Sequence, residues 1–145
     1  MVVGILMGDG CIDGSGKNPR LIITMTSPNY LEYVAENFDI LGGDVRLYTT
    51  AEENAKNSRY SGLNPNADSD NYSDIYRWCS IKHPELEEFA EWYESGGKMW
   101  PENIKLTPTV LKHWYCGDGH WNNNGSANYI AIAMLNEVDN LEKVD

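Results

Sequence analysis

Twice in this chain an apolar run of helical character ends in the tripeptide Gly-Asp-Gly. The first copy is Val2-Val3-Gly4-Ile5-Leu6-Met7-Gly8-Asp9-Gly10; the second is Leu111-Lys112-His113-Trp114-Tyr115-Cys116-Gly117-Asp118-Gly119. A helix this apolar has to be covered by another element, and an acid held between two glycines at its end has little reason to stand there unless it is used. A single Asp-Gly at a helix end is an ordinary terminating turn. Its recurrence on a second apolar helix is what constrains the fold, because two such helices packed side by side bring Asp9 and Asp118 together at one end of the pair. Neighbouring carboxylates of that kind hold divalent metal.

The rest of the composition sets limits. At 145 residues, with 41% apolar and 11% aromatic content and five tryptophans, the chain can form one compact domain with a real core. The opening apolar run has no basic flank and is too short to span a bilayer, so neither a signal peptide nor a membrane partner is expected. Cys11, Cys79 and Cys116 form no CxxC pair and no even set, which fits a reducing, cytoplasmic setting. The net charge of −11 and pI of about 4.6 count against a nucleic-acid partner. A halophilic source reconciles that charge with the motifs, because molar salt screens charges beyond about 3 Å and an acidic, lysine-poor surface can coexist with a local basic patch.

Along the chain, residues 2–9 read as helix, broken at Gly10. A hairpin follows, with a short strand near Cys11-Ile12, a turn over Gly14 to Pro19, and a strand from Arg20 to Thr26. Leu21, Ile23 and Met25 take the core face of that strand; Arg20, Ile22, Thr24 and Thr26 take the other. Ser27-Pro28 opens a helix striped by Leu31, Val34, Phe38 and Leu41 and stopped at Gly42-Gly43. Asp44 to Thr50 reads as strand, with Val45 and Leu47 on one side and Arg46, Tyr48 and Thr50 on the other. Residues 51–73, rich in Asn, Ser and Asp, read as a long loop or partly disordered lobe. Asp74 to Lys82 is a strand with apolar residues on both sides, so its facing stays open. His83-Pro84 opens a helix striped by Leu86, Phe89, Ala90 and Tyr93, ending near Gly96-Gly97. Thr107-Pro108 caps the second motif helix, after which a loop, the apolar stretch Tyr129 to Met134 and a helix start at Asn136 are expected. Residues 1–106 thus form a first repeat and residues 107–145 the opening of a second, as in a piece of a longer protein or a degenerate gene.

With both motifs and the elements between them in view, the chain resembles the LAGLIDADG homing endonucleases, and more narrowly their double-motif branch. The resemblance covers residues 2–145. It is most specific at Lys98-Met99-Trp100-Pro101, Leu106-Thr107-Pro108, Leu111, Trp114-Tyr115 and Gly117-Asp118-Gly119. It implies an α+β fold, an αββαββα saddle half in which the two motif helices pack centrally and an antiparallel sheet faces the DNA major groove. It also implies a site-specific double-strand DNA endonuclease, intron- or intein-borne, using Mg²⁺ (with Mn²⁺ as a substitute) and monomeric as the full-length protein. Carried across position by position, the metal-holding acids are Asp9 and Asp118, and the basic residue of the KxxP segment is Lys98. DNA contacts fall on Lys17, Arg20, Thr24, Thr26, Arg46, Tyr48, Arg59 and Arg77, with Lys82 a further candidate.

The chemistry of the residues agrees. Phosphodiester hydrolysis needs an activated water and relief of charge on the leaving oxygen, and a lysine near paired acids can serve the second need. Gly8 and Gly117 suit close helix approach; at the position matching Gly4 the second helix carries His113, so the pair is not symmetric. Plainer readings stand beside these. Lys98 alone reads as a solvated loop lysine, and Arg20 and Arg46 as ordinary exposed strand residues. His113, Cys116 and His120, three and four apart across a helix end, read as packing and surface residues rather than zinc ligands. Asp68-Ser69-Asp70-Asn71 lacks the glycine and the twelfth-position acid of a calcium loop. A cleavage-deficient maturase or nucleic-acid-binding derivative, or an inactive remnant, are the alternative functions.

Overall fold

A computed structural model describes residues 1–14, 18–93, 97–123, 125 and 128–133. In chain order these are α1 (Val2–Met7), β1 (Gly10–Asp13), β2 (Arg20–Met25), α2 (Pro28–Asn37), β3 (Val45–Thr49), α3 (Ala51–Tyr60), β4 (Ile75–Cys79), α4 (Glu87–Ala90), α5 (Pro108–Asp118), β5 (Gly119–Asn123) and β6 (Asn128–Ile132). Short 3₁₀ turns at Asp39–Leu41, Ser69–Asn71, Pro84–Leu86 and Glu91–Tyr93 extend or link them. The chain divides into two compact units: one holds residues 1–21 and the chain from 82 onward, the other is Ile22–Ile81.

In the second unit β2, β4 and β3 lie in that order, all antiparallel. The register pairs Ile23 with Trp78 and Val45 with Trp78, so these three share the face that is covered by α2. Trp78 is fully buried and stacks on Phe38 with ring centroids 6.1 Å apart; Leu31 and Val34, one turn apart on α2, are buried beside it. This fixes the facing of β4 that the sequence left open: Tyr76 and Trp78 point to the helix side, Ile75, Arg77 and Cys79 to the other. Strand alternation makes the same split on β2 and β3. Leu47, on the same side of β3 as Val45, is 49% exposed.

Residues 51–73 are not the loop or disordered lobe that their composition predicts. α3 occupies Ala51–Tyr60, begun by a capping box in which Thr50 accepts from the Glu53 backbone N–H and Glu53 accepts from the Thr50 N–H. Ala55 is its one buried position, so the apolar stripe that normally reveals a helix is missing.

In the first unit α1 packs against α5, with Gly4 set against Val110 and His113 and Gly8 against Gly117; Ile5, Leu6 and Met7 of α1 and Val110, His113 and Trp114 of α5 are buried. Thr107 caps α5, its hydroxyl accepting from the Val110 N–H at 3.2 Å, with Pro108 in the first turn. The helix expected from His83 is broken into 3₁₀, α and 3₁₀ turns between Pro84 and Tyr93. After Gly119 the structure corrects the expected loop: Gly119–Asn123 is a strand, paired antiparallel with β6 from Gly119↔Ile132 to Asn123↔Asn128. The helix expected from Asn136 lies outside the described residues. No described helix is long and apolar enough to cross a membrane.

Candidate metal centre and nucleic-acid face

Glycine decides where the two motif helices meet. An ideal Cβ on Gly117 would lie 2.8 Å from the Asp9 backbone nitrogen and 3.0 Å from Gly8 Cα, so the backbones touch at the paired glycines. A Cβ on Gly4 would lie 2.9 Å from Val110 Cα and 3.0 Å from His113 Cβ. The asymmetry of the two motifs is therefore complementary: the small residue of α1 faces the large residue of α5. The last glycine of each motif is required for a different reason. A Cβ at Gly10 would lie 2.5 Å from Ile5 Cγ2, and one at Gly119 would overlap the Tyr115 ring, because the chain folds back over its own helix to start a strand.

This contact sets Asp9 and Asp118 side by side at the shared end of the helices. Asp9 reaches solvent on one side and Asp118 is half-buried. The pKa of Asp9 is raised, first by the protein that displaces water around it and then by the negative charge of Asp118, while Lys98 pulls it down. Burial raises Asp118 as well, again against Lys98. Two acids and one lysine thus form a single electrostatic group.

Lys98 is placed by its neighbours in the chain. The Met99 N–H donates to the Trp92 carbonyl at 2.7 Å, and buried Trp100 meets buried Trp114 of α5 edge to face with centroids 5.4 Å apart. Held on both sides, half-buried Lys98 donates from Nζ to the Gly8 carbonyl at 2.8 Å. The Gly8 carbonyl thereby holds the ammonium at the end of α1 where the aspartates stand.

The donor set fits a hard divalent cation in one respect. Two carboxylates that oppose each other's ionisation gain from a shared positive charge, and Mg²⁺ takes one or two carboxylates while keeping waters and phosphate oxygens. Among the described residues no group of three His, Cys, Asp or Glu forms a closed cage.

Residues 1–143 match the LAGLIDADG DNA endonuclease family. The chain belongs to that family. Over 118 residues it is 29% identical to an uncharacterised protein of Methanocaldococcus jannaschii, an alignment covering 80% of this chain and 41% of that protein. Its fold is similar to the homing endonuclease I-WcaI bound to its DNA recognition sequence, with a TM-score of 0.58 and 16% identity over 86% of this chain and 51% of that one. The chain therefore spans about half the length, or less, of the proteins it is compared with. The mixed helix and antiparallel-sheet architecture is the one the family implies.

The candidate DNA contacts divide by position. Thr24, Arg46, Tyr48 and Arg77 lie together on the face of the β2-β4-β3 sheet away from α2. Thr26 is exposed just beyond the end of β2. Arg20 starts β2 and is ion-paired to Asp13 at 2.8 Å, so its charge is already met. Arg59 sits on α3, where its guanidinium donates to the Ala67 carbonyl and ties the following turn to the helix. Lys17 lies outside the described residues, and Lys82 is exposed. The sequence reading missed the links that organise these groups: the Arg77–Thr24 and Arg77–Tyr48 contacts, and the tryptophan pair behind Lys98. The spacing of Trp100 and Trp114 gave no sign that they would meet.

Proposed function

We propose that this chain carries the cleavage centre of a site-specific, homing-type endonuclease that hydrolyses both strands of duplex DNA. One observation carries the reading: Asp9 and Asp118 end two helices whose backbones touch at Gly8 and Gly117, so one carboxylate from each motif serves one site. In this reading Asp9 and Asp118 hold Mg²⁺, or Mn²⁺ in its place. A divalent ion held by these two carboxylates would supply the Lewis acidity that lowers the pKa of an attacking water. Lys98, fixed through Gly8, offsets negative charge as the leaving oxygen departs. The β2-β4-β3 face provides the groove contacts of the first repeat, residues 1–106, and residues 107–145 open the second. The relative bound to its DNA recognition sequence supports duplex DNA as the partner.

The test is a plasmid library with randomised inserts, incubated with protein and Mg²⁺ in high salt and sequenced from the linear product. The wild type is expected to linearise a discrete set of inserts, and Asp9→Asn and Asp118→Asn to bind the same inserts without cutting them. Cleavage that survives both substitutions removes the aspartates from the reaction. Sequence-selective binding by a wild type that never cuts favours the binding-only derivative.

A further inference from the structure

The outer sheet face of the second unit holds an arginine whose freedom has been taken away. The register places Thr24 and Arg46 directly opposite Arg77, one on each side. Arg77 Nε donates to Thr24 Oγ1 at 3.0 Å, and its guanidinium carbon stands 3.4 Å from the centroid of the Tyr48 ring. Among the described residues no carboxylate pairs with Arg77 or Arg46, although the chain has 22 acids against 11 bases. Like charges directly opposite on neighbouring strands repel; the Tyr48 ring offsets part of the charge on Arg77, but no anionic group among the described residues neutralises the pair.

The geometry limits what an outside partner can be. With Nε committed to Thr24 and one face of the plane covered by Tyr48, the guanidinium has its two Nη groups left to offer, as a flat fork of fixed orientation. Such a fork matches O6 and N7 on the major-groove edge of guanine, two acceptors in one plane. A phosphate needs only charge and tolerates any rotamer, a requirement that exposed Arg46, without these restraints, already meets. We propose that Arg77 is a specificity-determining residue that reads one guanine of the target, with Thr24 and Tyr48 as its positioning residues and Arg46 on a nearby phosphate. The assignment rests on the DNA-binding reading above and adds a base and a reader to it.

Selection from a randomised duplex library in Mg²⁺-free, high-salt buffer tests it with wild type, Arg77→Lys, Thr24→Val and Arg46→Ala. The wild type is expected to enrich a site with guanine at one fixed position. Arg77→Lys keeps the charge but loses the fork, and should lower the preference for guanine at that position alone by about tenfold or more. Thr24→Val, which preserves side-chain shape, should lower the same preference in part; it carries the test if Arg77→Lys does not fold. Arg46→Ala should weaken all sites alike and flatten the salt dependence by about one charge. A selected site left unchanged by Arg77→Lys and Thr24→Val, or weakened evenly at every position, overturns the role of Arg77 alone. A wild type that enriches no sequence overturns the DNA-binding reading and this assignment with it.

Discussion

Replacing Gly4 by alanine sets two effects against each other, and the structure says which wins. Alanine is favoured over glycine inside a helix by about 1 kcal/mol, so on propensity alone Gly4→Ala should strengthen α1. The new Cβ, however, would lie 2.9 Å from Val110 Cα and 3.0 Å from His113 Cβ, with the Val110 carbonyl oxygen nearer still. Carbon atoms in good contact sit about 3.5–4.0 Å apart, so α1 and α5 must separate by roughly 0.5–1 Å, which forfeits about a quarter to a half of the dispersion energy at each neighbouring contact. The two helices carry buried Ile5, Leu6, Met7, Val110 and Trp114. Because the nearest clashing atoms are backbone and cannot swing aside, the overpacking cost lies in the upper part of its usual range, about 2–3 kcal/mol, which outweighs the propensity gain. The expected net loss is about 1–2 kcal/mol. Gly8→Ala is the internal control: its Cβ would meet Gly117 Cα at 3.2 Å and the Trp114 carbonyl at 3.4 Å, distances that a shift of a few tenths of an ångström relieves. It should stay within about 1 kcal/mol of wild type. Urea unfolding followed by tryptophan fluorescence measures both. A Gly4→Ala protein as stable as wild type would mean that the helices do not meet backbone to backbone, and the argument for converging aspartates would lose its geometric basis.

Asp118→Asn should stabilise the metal-free protein at neutral pH. The raised pKa values mean that ionisation of these acids opposes folding above their folded pKa, a penalty relieved as pH falls through it. Because both groups are partly open to water the gain is about 1 kcal/mol or less, read as a rise in Tm of roughly 2 °C. His113 has the opposite sign. Burial, with Lys112 and the N-terminal ammonium adding to it, lowers its pKa to about 4, so stability should fall between about pH 6.5 and pH 4, where the unfolded chain takes up a proton that the folded chain refuses. The loss reaches about 3 kcal/mol at most, and a His113→Gln protein should show a flatter or reversed slope over that window in urea titrations. Lys98→Met should keep Mn²⁺ binding and lose cleavage by about 100-fold; equal rates would show the lysine to be a structural tie to Gly8 and nothing more.

The centre of this protein is legible in its sequence because the constraint is repeated. Asp9 and Asp118 each follow a helix that has nowhere to go but against the other, and the glycines that permit the contact stand at matching positions. The sheet face was legible only in part. Alternation on β2 and β3 separates Thr24 and Arg46 from the core side, but β4 carries Ile75, Tyr76, Trp78 and Cys79 on both faces, and only the burial of Trp78 under α2 decides which way Arg77 points. α3 escaped because its ten residues bury one alanine and offer no stripe; the signal present was the Thr50–Glu53 capping box, a local bond pattern rather than a periodicity. β5 escaped for a different reason. Gly-His-Trp-Asn-Asn has no strand signature of its own, and its conformation comes from pairing with β6.

The most direct test of the account is a Mn²⁺ titration of the wild type, Asp9→Asn and Asp118→Asn in high salt, read by calorimetry or by the electron spin resonance of free ion. If the two motif acids share one metal centre, the wild type binds Mn²⁺ and each substitution alone weakens it by tenfold or more, about 1.4 kcal/mol. A folded wild type that binds no ion, or one whose binding neither substitution alters, would contradict the shared centre and leave the fold as the family's without its chemistry.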